Sequence, residues 1–134
     1  MNKLLTILCL VLLSVHSYSQ EVVTGPFLIR DDVTYHQDTN QLVTGIVESF
    51  HTNGQLKLRT NFIDGEREGF FEEFHYNGQL RLRGNYDDGK LDGLFEEFHE
   101  DGQLAQRGNY IDGEFDGLWE TFHDNVTDMK CFIQ

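Results

Sequence analysis

Residues 77–90 read NGQLRLRGNYDDGK, after NGQLKLRTNFIDGE at 53–66 and before DGQLAQRGNYIDGE at 101–114. Aligned on glycine, the phrase belongs to units that begin at Gly45, Gly69, Gly93 and Gly117, a period of 24 without slippage, the last unit being truncated. Self-similarity at such a period marks a repeat array, and it outweighs local propensity. Each unit holds two turn signals. The first is Asn53-Gly54, Asn77-Gly78 or Asp101-Gly102, and the second is Asp64-Gly65, Asp88-Gly89 or Asp112-Gly113. The segments between them are rich in Phe, Tyr, Leu and Arg and have strand length. The expected fold is all-β, a single-layer antiparallel meander of about eight or nine strands built from 24-residue hairpins.

Register follows from how the side chains sort. A two-residue turn at Asn53-Gly54 mixes Phe50 with Lys57 and Arg59, whereas a three-residue loop with glycine in the left-handed region separates polar from apolar positions. On that register one face collects Ile46, Phe50, Leu56, Leu58 and Phe62, with echoes at Phe70, Phe74, Leu80, Leu82 and Tyr86. The other collects His51, Lys57, Arg59 and Asn61, with echoes at His75, Arg81, Arg83 and Asn85. It places Gly84 across from Phe70 and Gly108 across from Leu94, and sets Arg59, Arg83 and Arg107 against Gly69, Gly93 and Gly117, with guanidinium-on-ring stacking onto Phe71, Phe95 and Trp119. Val33–Gly45 reads as a degenerate half-unit with its turn near Asp38-Thr39-Asn40, and Val126–Gln134 as a closing strand after Asp124-Asn125.

The chain opens with MNKLLTILCLVLLSVHSYSQ: one Lys, an apolar run of about a dozen residues, then Ser17 and Ser19 at a cleavage-like spacing. This predicts a signal peptide over 1–19, too short for a membrane span, followed by an extension over 20–32 and the repeat domain over 33–134. The expected location is secreted, periplasmic or outer-envelope. Loss of Lys3 takes the formal charge from −13 to −14, which disfavours nucleic acid and anionic lipid as partners. Cys9 leaves with the signal, so Cys131 has no partner in the chain for a disulfide.

The stretch Asn85–Leu104, NYDDGKLDGLFEEFHEDGQL, resembles the MORN-repeat-variant family, the bacterial relatives of MORN repeats. Its motif, an aromatic, two residues, Gly-Lys/Glu, then Asp/Glu-Gly and a second apolar residue, recurs in phase at Phe62–Phe70, Tyr86–Leu94 and Tyr110–Leu118. The resemblance implies a twisted β-meander that serves as an interaction or scaffold module. Bacterial members often bear a toxin–antitoxin label. Eukaryotic MORN repeats usually place a Trp in the first strand. Here only Trp119 does so, and phospholipid binding is not carried over. The family brings no catalytic residues.

His51, His75, His99 and His123 recur in phase, but equivalent strands lie about 9.6 Å apart, too far for neighbouring imidazoles to share one zinc ion. Glu48, Glu72, Glu96 and Glu120 form a second column with no pocket and no division of acid from base. No phosphate loop, nucleotide-binding fingerprint, zinc-protease helix or nucleophile elbow is present. The chain is therefore expected to be non-catalytic, with neither metal nor cofactor, and to bind an unidentified protein; self-association through its apolar face is a second use of the same surface. The candidate interaction residues are Arg59, Arg83 and Arg107 with Phe71, Phe95 and Trp119, and on the apolar face Phe50, Phe74, Phe98 and Phe122. An exported antitoxin or immunity-type protein is the alternative. Far-UV circular dichroism of residues 20–134 is expected to show a strand-dominated spectrum; a helix fraction near the globular average of about one-third refutes the repeat reading.

Overall fold

A computed structural model describes residues 21–123 and 126–132. The expected signal segment, the expected turn at Asp124-Asn125 and the side chain of Cys131 lie outside the described residues. Among the described residues there are strands and no helix. They are β1 (Val22–Val23), β2 (Phe27–Arg30), β3 (Val33–His36), β4 (Gly45–Phe50), β5 (Leu56–Ile63), β6 (Glu66–Phe74), β7 (Leu80–Asp87), β8 (Lys90–Leu91), β9 (Gly93–Phe98), β10 (Leu104–Ile111), β11 (Glu114–His123) and β12 (Val126–Phe132). Ten of them form one sheet, in which β4 to β12 follow one another as an antiparallel meander.

Both turn chemistries act as the sequence requires. At the first turn of each unit, His51 N–H donates to Gln55 O and Gly54 N–H to His51 O, and the pattern repeats at His75 and His99. Gly54, Gly78 and Gly102 have φ of 84°, 83° and 85°, the left-handed conformation that closes a three-residue loop without a Cβ penalty. At the second turn both central residues have positive φ (Asp64 49°, Gly65 86°), as a two-residue type I′ hairpin demands.

The strands between the turns depart from the expected register in two ways. Ser49 pairs with Leu58 but Phe50 with Leu56, leaving Lys57 as an extra residue; Arg81 and Ala105 are its equivalents. This β-bulge advances the pairing by one and sends Leu80 and Leu82 to opposite faces. Gly84 consequently lies opposite Phe71, and Gly108 opposite Phe95, instead of Phe70 and Leu94. A larger bulge surrounds Gly69, where Thr60 pairs with Phe71 but Phe62 with Arg67, so that Asn61 alone faces Glu68, Gly69 and Phe70. Gly69 takes φ 79° there, and Asn61 Nδ2 donates to Glu68 O. Gly93 and Gly117 repeat the device, and in the second unit it divides one strand into β8 and β9. Because the bulge advances β6, Arg59 stands opposite Glu72 rather than Gly69, Arg83 opposite Glu96, and Arg107 opposite Glu120.

The N-terminal part adds what the repeat does not announce. β1 pairs in parallel with β4, which, with the β8/β9 division, raises the sheet from eight or nine strands to ten. The turn at 37–39 forms where expected, with Tyr35 bridging to Leu42. β3, however, pairs with β2 as a separate two-stranded hairpin through Asp31-Asp32. Thr34 N–H donates to Gly65 O, and Val43 beside it is wholly buried.

Among the described residues the buried apolar side chains are few: Val43, Phe62 and Phe71. A single layer has no interior, and its rings must cover one another. The glycines make this possible. A Cβ at Gly84 would stand 2.7 Å from Phe71 Cε1, and one at Gly108 would collide with Trp119 Cε3, so each ring lies across a strand that offers no side chain. Gly108→Ala is expected to lower unfolding stability by about 1–3 kcal/mol through overpacking. In chemical denaturation most of that loss should vanish in a Trp119→Leu background; additive losses contradict the ring-on-glycine contact.

Candidate interaction surface

Residues paired directly across antiparallel strands share a face, and the observed register gives the sheet two unlike faces. The first carries a row of aromatic rings. Phe71 on β6 meets Tyr86 on β7 at 5.1 Å and Phe95 on β9 at 6.4 Å between ring centroids. Phe95 stacks on Trp119 of β11 at 6.0 Å and 23°. Tyr110 on β10 stands edge-on to Phe95 and Trp119, and Phe115 closes on Tyr110 at 4.6 Å. Trp119 Nε1 donates to Gln106 Oε1 at 3.1 Å, and Gln106 Nε2 donates to Glu97 Oε2, so the indole N–H is satisfied. Phe71 is buried, Phe95, Tyr110 and Trp119 are half-buried, and Phe115 is 52% exposed. Burial pushes the Tyr110 hydroxyl up from its ordinary pKa, with the neighbouring Tyr86 adding to the shift.

The second face carries a charge ladder. Arg59 Nε donates to Glu48 Oε1 at 2.8 Å while its Nη1 reaches Glu72 at 3.5 Å. Arg83 pairs with Glu96 and Arg107 with Glu120, each at 2.5 Å. The hydrogen bond that Glu48 accepts raises the Arg59 pKa further above its ordinary value, and the charges of Glu48 and Glu72 act in the same direction. The Arg83 guanidinium lies 5.4 Å over the Phe98 ring and that of Arg107 5.6 Å over Phe122. Partly exposed ion pairs of this type contribute about 0.2–1 kcal/mol each, but here they also neutralise a column of carboxylates.

The candidate residues are therefore regrouped. Phe71, Phe95 and Trp119 form one row, and the arginines share the opposite face with Phe74, Phe98 and Phe122, Arg83 stacking on Phe98 and Arg107 on Phe122. The expected Arg–aromatic pairing fails because the two-residue Asp-Gly turn pairs odd with even positions, and the bulge at Gly69, Gly93 and Gly117 then sets Arg59, Arg83 and Arg107 opposite Glu72, Glu96 and Glu120. Phe50, 58% exposed, stands at the ladder-face end of β4. Tyr86, Tyr110 and Phe115 complete the aromatic row; Tyr86, expected on the face of Phe74, shares that of Phe71 because of the bulge at Arg81. The recurrence of Tyr at 86 and 110, one period apart, was their signal in the sequence.

The histidines staple successive units. His51 Nε2 donates to Phe74 O at 2.9 Å and His75 Nε2 to Phe98 O at 2.8 Å, since a carbonyl can only accept. Asn53 and Asn77 add parallel bonds to Tyr76 O and Glu100 O. At the type I′ edge, Asp64 N–H donates to Thr44 Oγ1, Asp88 N–H to Glu68 Oε2 and Asp112 N–H to Asp92 Oδ2, the same contact one period apart. Glu68, Asp87 and Asp88 consequently crowd together. The Glu68 charge foremost, then Asp88, raises the pKa of Asp87 above its ordinary value of 3.8.

This is a one-layer antiparallel repeat sheet whose units are joined by side chains on both faces. The model of the MORN repeat variant family matches residues 43–64, 65–88 and 91–112, and the chain belongs to that family. No curated protein matches it. Among solved structures, the complex of accessory secretory proteins 1, 2 and 3 of Streptococcus pneumoniae is 19% identical, with a TM-score of 0.38 over 83% of this chain and 21% of that one. A GtfA/B complex bound to UDP and GlcNAc is 12% identical, with a TM-score of 0.34 over 82% and 25%. The chain thus spans about a fifth to a quarter of those proteins, and likenesses this distant carry no functional argument. Repeats of this family are generally interaction modules.

The acidic edge yields a pH prediction. A carboxyl whose folded pKa is raised weakens the fold once ionised, and the penalty disappears below its unfolded pKa. Asp87→Asn is therefore expected to raise Tm at pH 7, with the gain shrinking to nothing as pH falls below 3.8 and diminishing in high salt. A gain independent of pH and salt contradicts the repulsion.

Proposed function

We propose that this chain is an exported, non-catalytic module that binds a protein at the cell envelope through its aromatic face. The observation that carries the reading is the row from Phe71 to Phe115, half-exposed apolar area of a kind that soluble monomers seldom leave open and that marks interaction sites. Aromatic rings dominate interface energetics when buried by a partner. The ladder face is the costlier one to bury, because Arg83 and Arg107 already cover Phe98 and Phe122 and a partner has to desolvate their ion pairs. The acidic balance of the chain favours a protein surface over nucleic acid or anionic lipid.

The test is affinity capture of tagged protein from envelope extracts. The exported form is expected to begin at Gln20. Phe115→Asp, at an exposed position, should weaken capture by about tenfold or more, a loss of about 1.4 kcal/mol, whereas Arg107→Gln should leave it nearly unchanged. Retention by the first variant with loss in the second moves the interface to the ladder face. A co-encoded toxin among the captured proteins supports the immunity-type alternative instead.

A further inference from the structure

The β2–β3 hairpin lies over the start of the aromatic face without sealing against it. Between them is a cavity of about 560 Å³, within the size range of small-molecule sites. Phe27 and Ile29 of the hairpin oppose Val47, Leu58 and Phe62 of the sheet, giving two apolar walls, and Val33 lines the cavity beside the hairpin turn. Carboxylates dominate the rim: Asp31 and Asp32 from the hairpin turn, and Glu66 and Asp88 from the type I′ edge. The two cations there are already engaged. Arg67 Nη1 donates to Tyr86 Oη at 2.9 Å with its guanidinium over that ring, and Lys90 Nζ sits 3.8 Å from Asp112.

An independent observation points to a ligand. Thr60 stands in the sheet wall, paired across the sheet with Val47 and Phe71, and its side chain is therefore on the face where the cavity opens. It is 2% exposed, and its Oγ1 has no hydrogen-bond partner in the protein. Buried hydroxyls are ordinarily satisfied. Pairing with a ligand there requires the χ1 rotamer that turns Oγ1 toward the cavity.

From these features we propose that the cleft binds a small organic cation: an amine whose ammonium meets the acidic rim, whose apolar body lies between the two walls, and whose far-end hydroxyl pairs with Thr60. Charge decides against anions. A purely apolar ligand leaves the hydroxyl unpaired and the rim without a role.

Titration of the full mature protein with tyramine, followed by amide chemical shifts, tests this. Shifts are expected to localise to 27–34, 58–62 and 88–90. Phenethylamine, which lacks the hydroxyl, should bind several-fold more weakly, and 3-(4-hydroxyphenyl)propionate, with the charge reversed, about tenfold more weakly or not at all. Asp31→Asn keeps a residue tolerant of the left-handed turn and should weaken tyramine several-fold, more at low salt than at high. Thr60→Val should remove the discrimination between tyramine and phenethylamine while leaving the fold at least as stable, because no hydrogen bond is lost. Equal binding of cation and anion, shifts elsewhere on the sheet, or no saturable shift at millimolar tyramine overturns the proposal. Each of these outcomes leaves the aromatic-face interaction untouched.

Discussion

A sheet one layer thick has no interior, and every other feature of this protein answers that constraint. Where a two-layer domain buries side chains against a second element, here a ring on one strand finds cover from rings two strands away. That reach is possible because Gly84 and Gly108 leave the intervening strand bare under Phe71 and Trp119. Replace the glycines with any side chain and the rings must tilt off the sheet, taking the contacts between units with them.

The two faces divide the labour of joining the repeats. On one, aromatic pairs contribute about 0.5–1.5 kcal/mol each beyond the area they bury. On the other, alternating Glu and Arg from successive strands neutralise one another, and the guanidinium groups shield Phe98 and Phe122 from water. At the strand ends, His51 and His75 bond to backbone carbonyls one unit on. The metal ladder that their period suggests is therefore a hydrogen-bonded seam, its Nε2 atoms committed to structure. The acidic edge is similar in origin: Asp64, Asp88 and Asp112 are there because a short polar side chain tolerates positive φ in a type I′ turn. Their mutual repulsion is a by-product.

Such a sheet leaves its surface available for binding. The aromatic row is held in place by glycine contacts and by the bond from Trp119 to Gln106, so it is preorganised, which lowers the ordering cost of association. The N-terminal hairpin covers the first unit of that row, where Phe62 is buried, and leaves a cleft rather than a packed seam.

The sequence by itself determined the period, the all-β class and both turn types, because these rest on local chemistry. Glycine at positive φ in a three-residue loop and Asp-Gly in a two-residue one are choices made within four or five residues. Which side chains share a face was decided only in three dimensions. The bulges at Lys57, Arg81 and Ala105 each add one residue to one strand, a slip that side-chain alternation turns into an exchange of faces, and those at Gly69, Gly93 and Gly117 add two, which keep the face and change the partner. Together these shifts brought Arg83 to Glu96 and Phe98 and left Phe95 to Trp119 and Tyr110. The docking of β2–β3 over Val47 and Leu58 was likewise invisible, since it depends on contacts between segments with no repeat, no shared period and no local turn signal linking them.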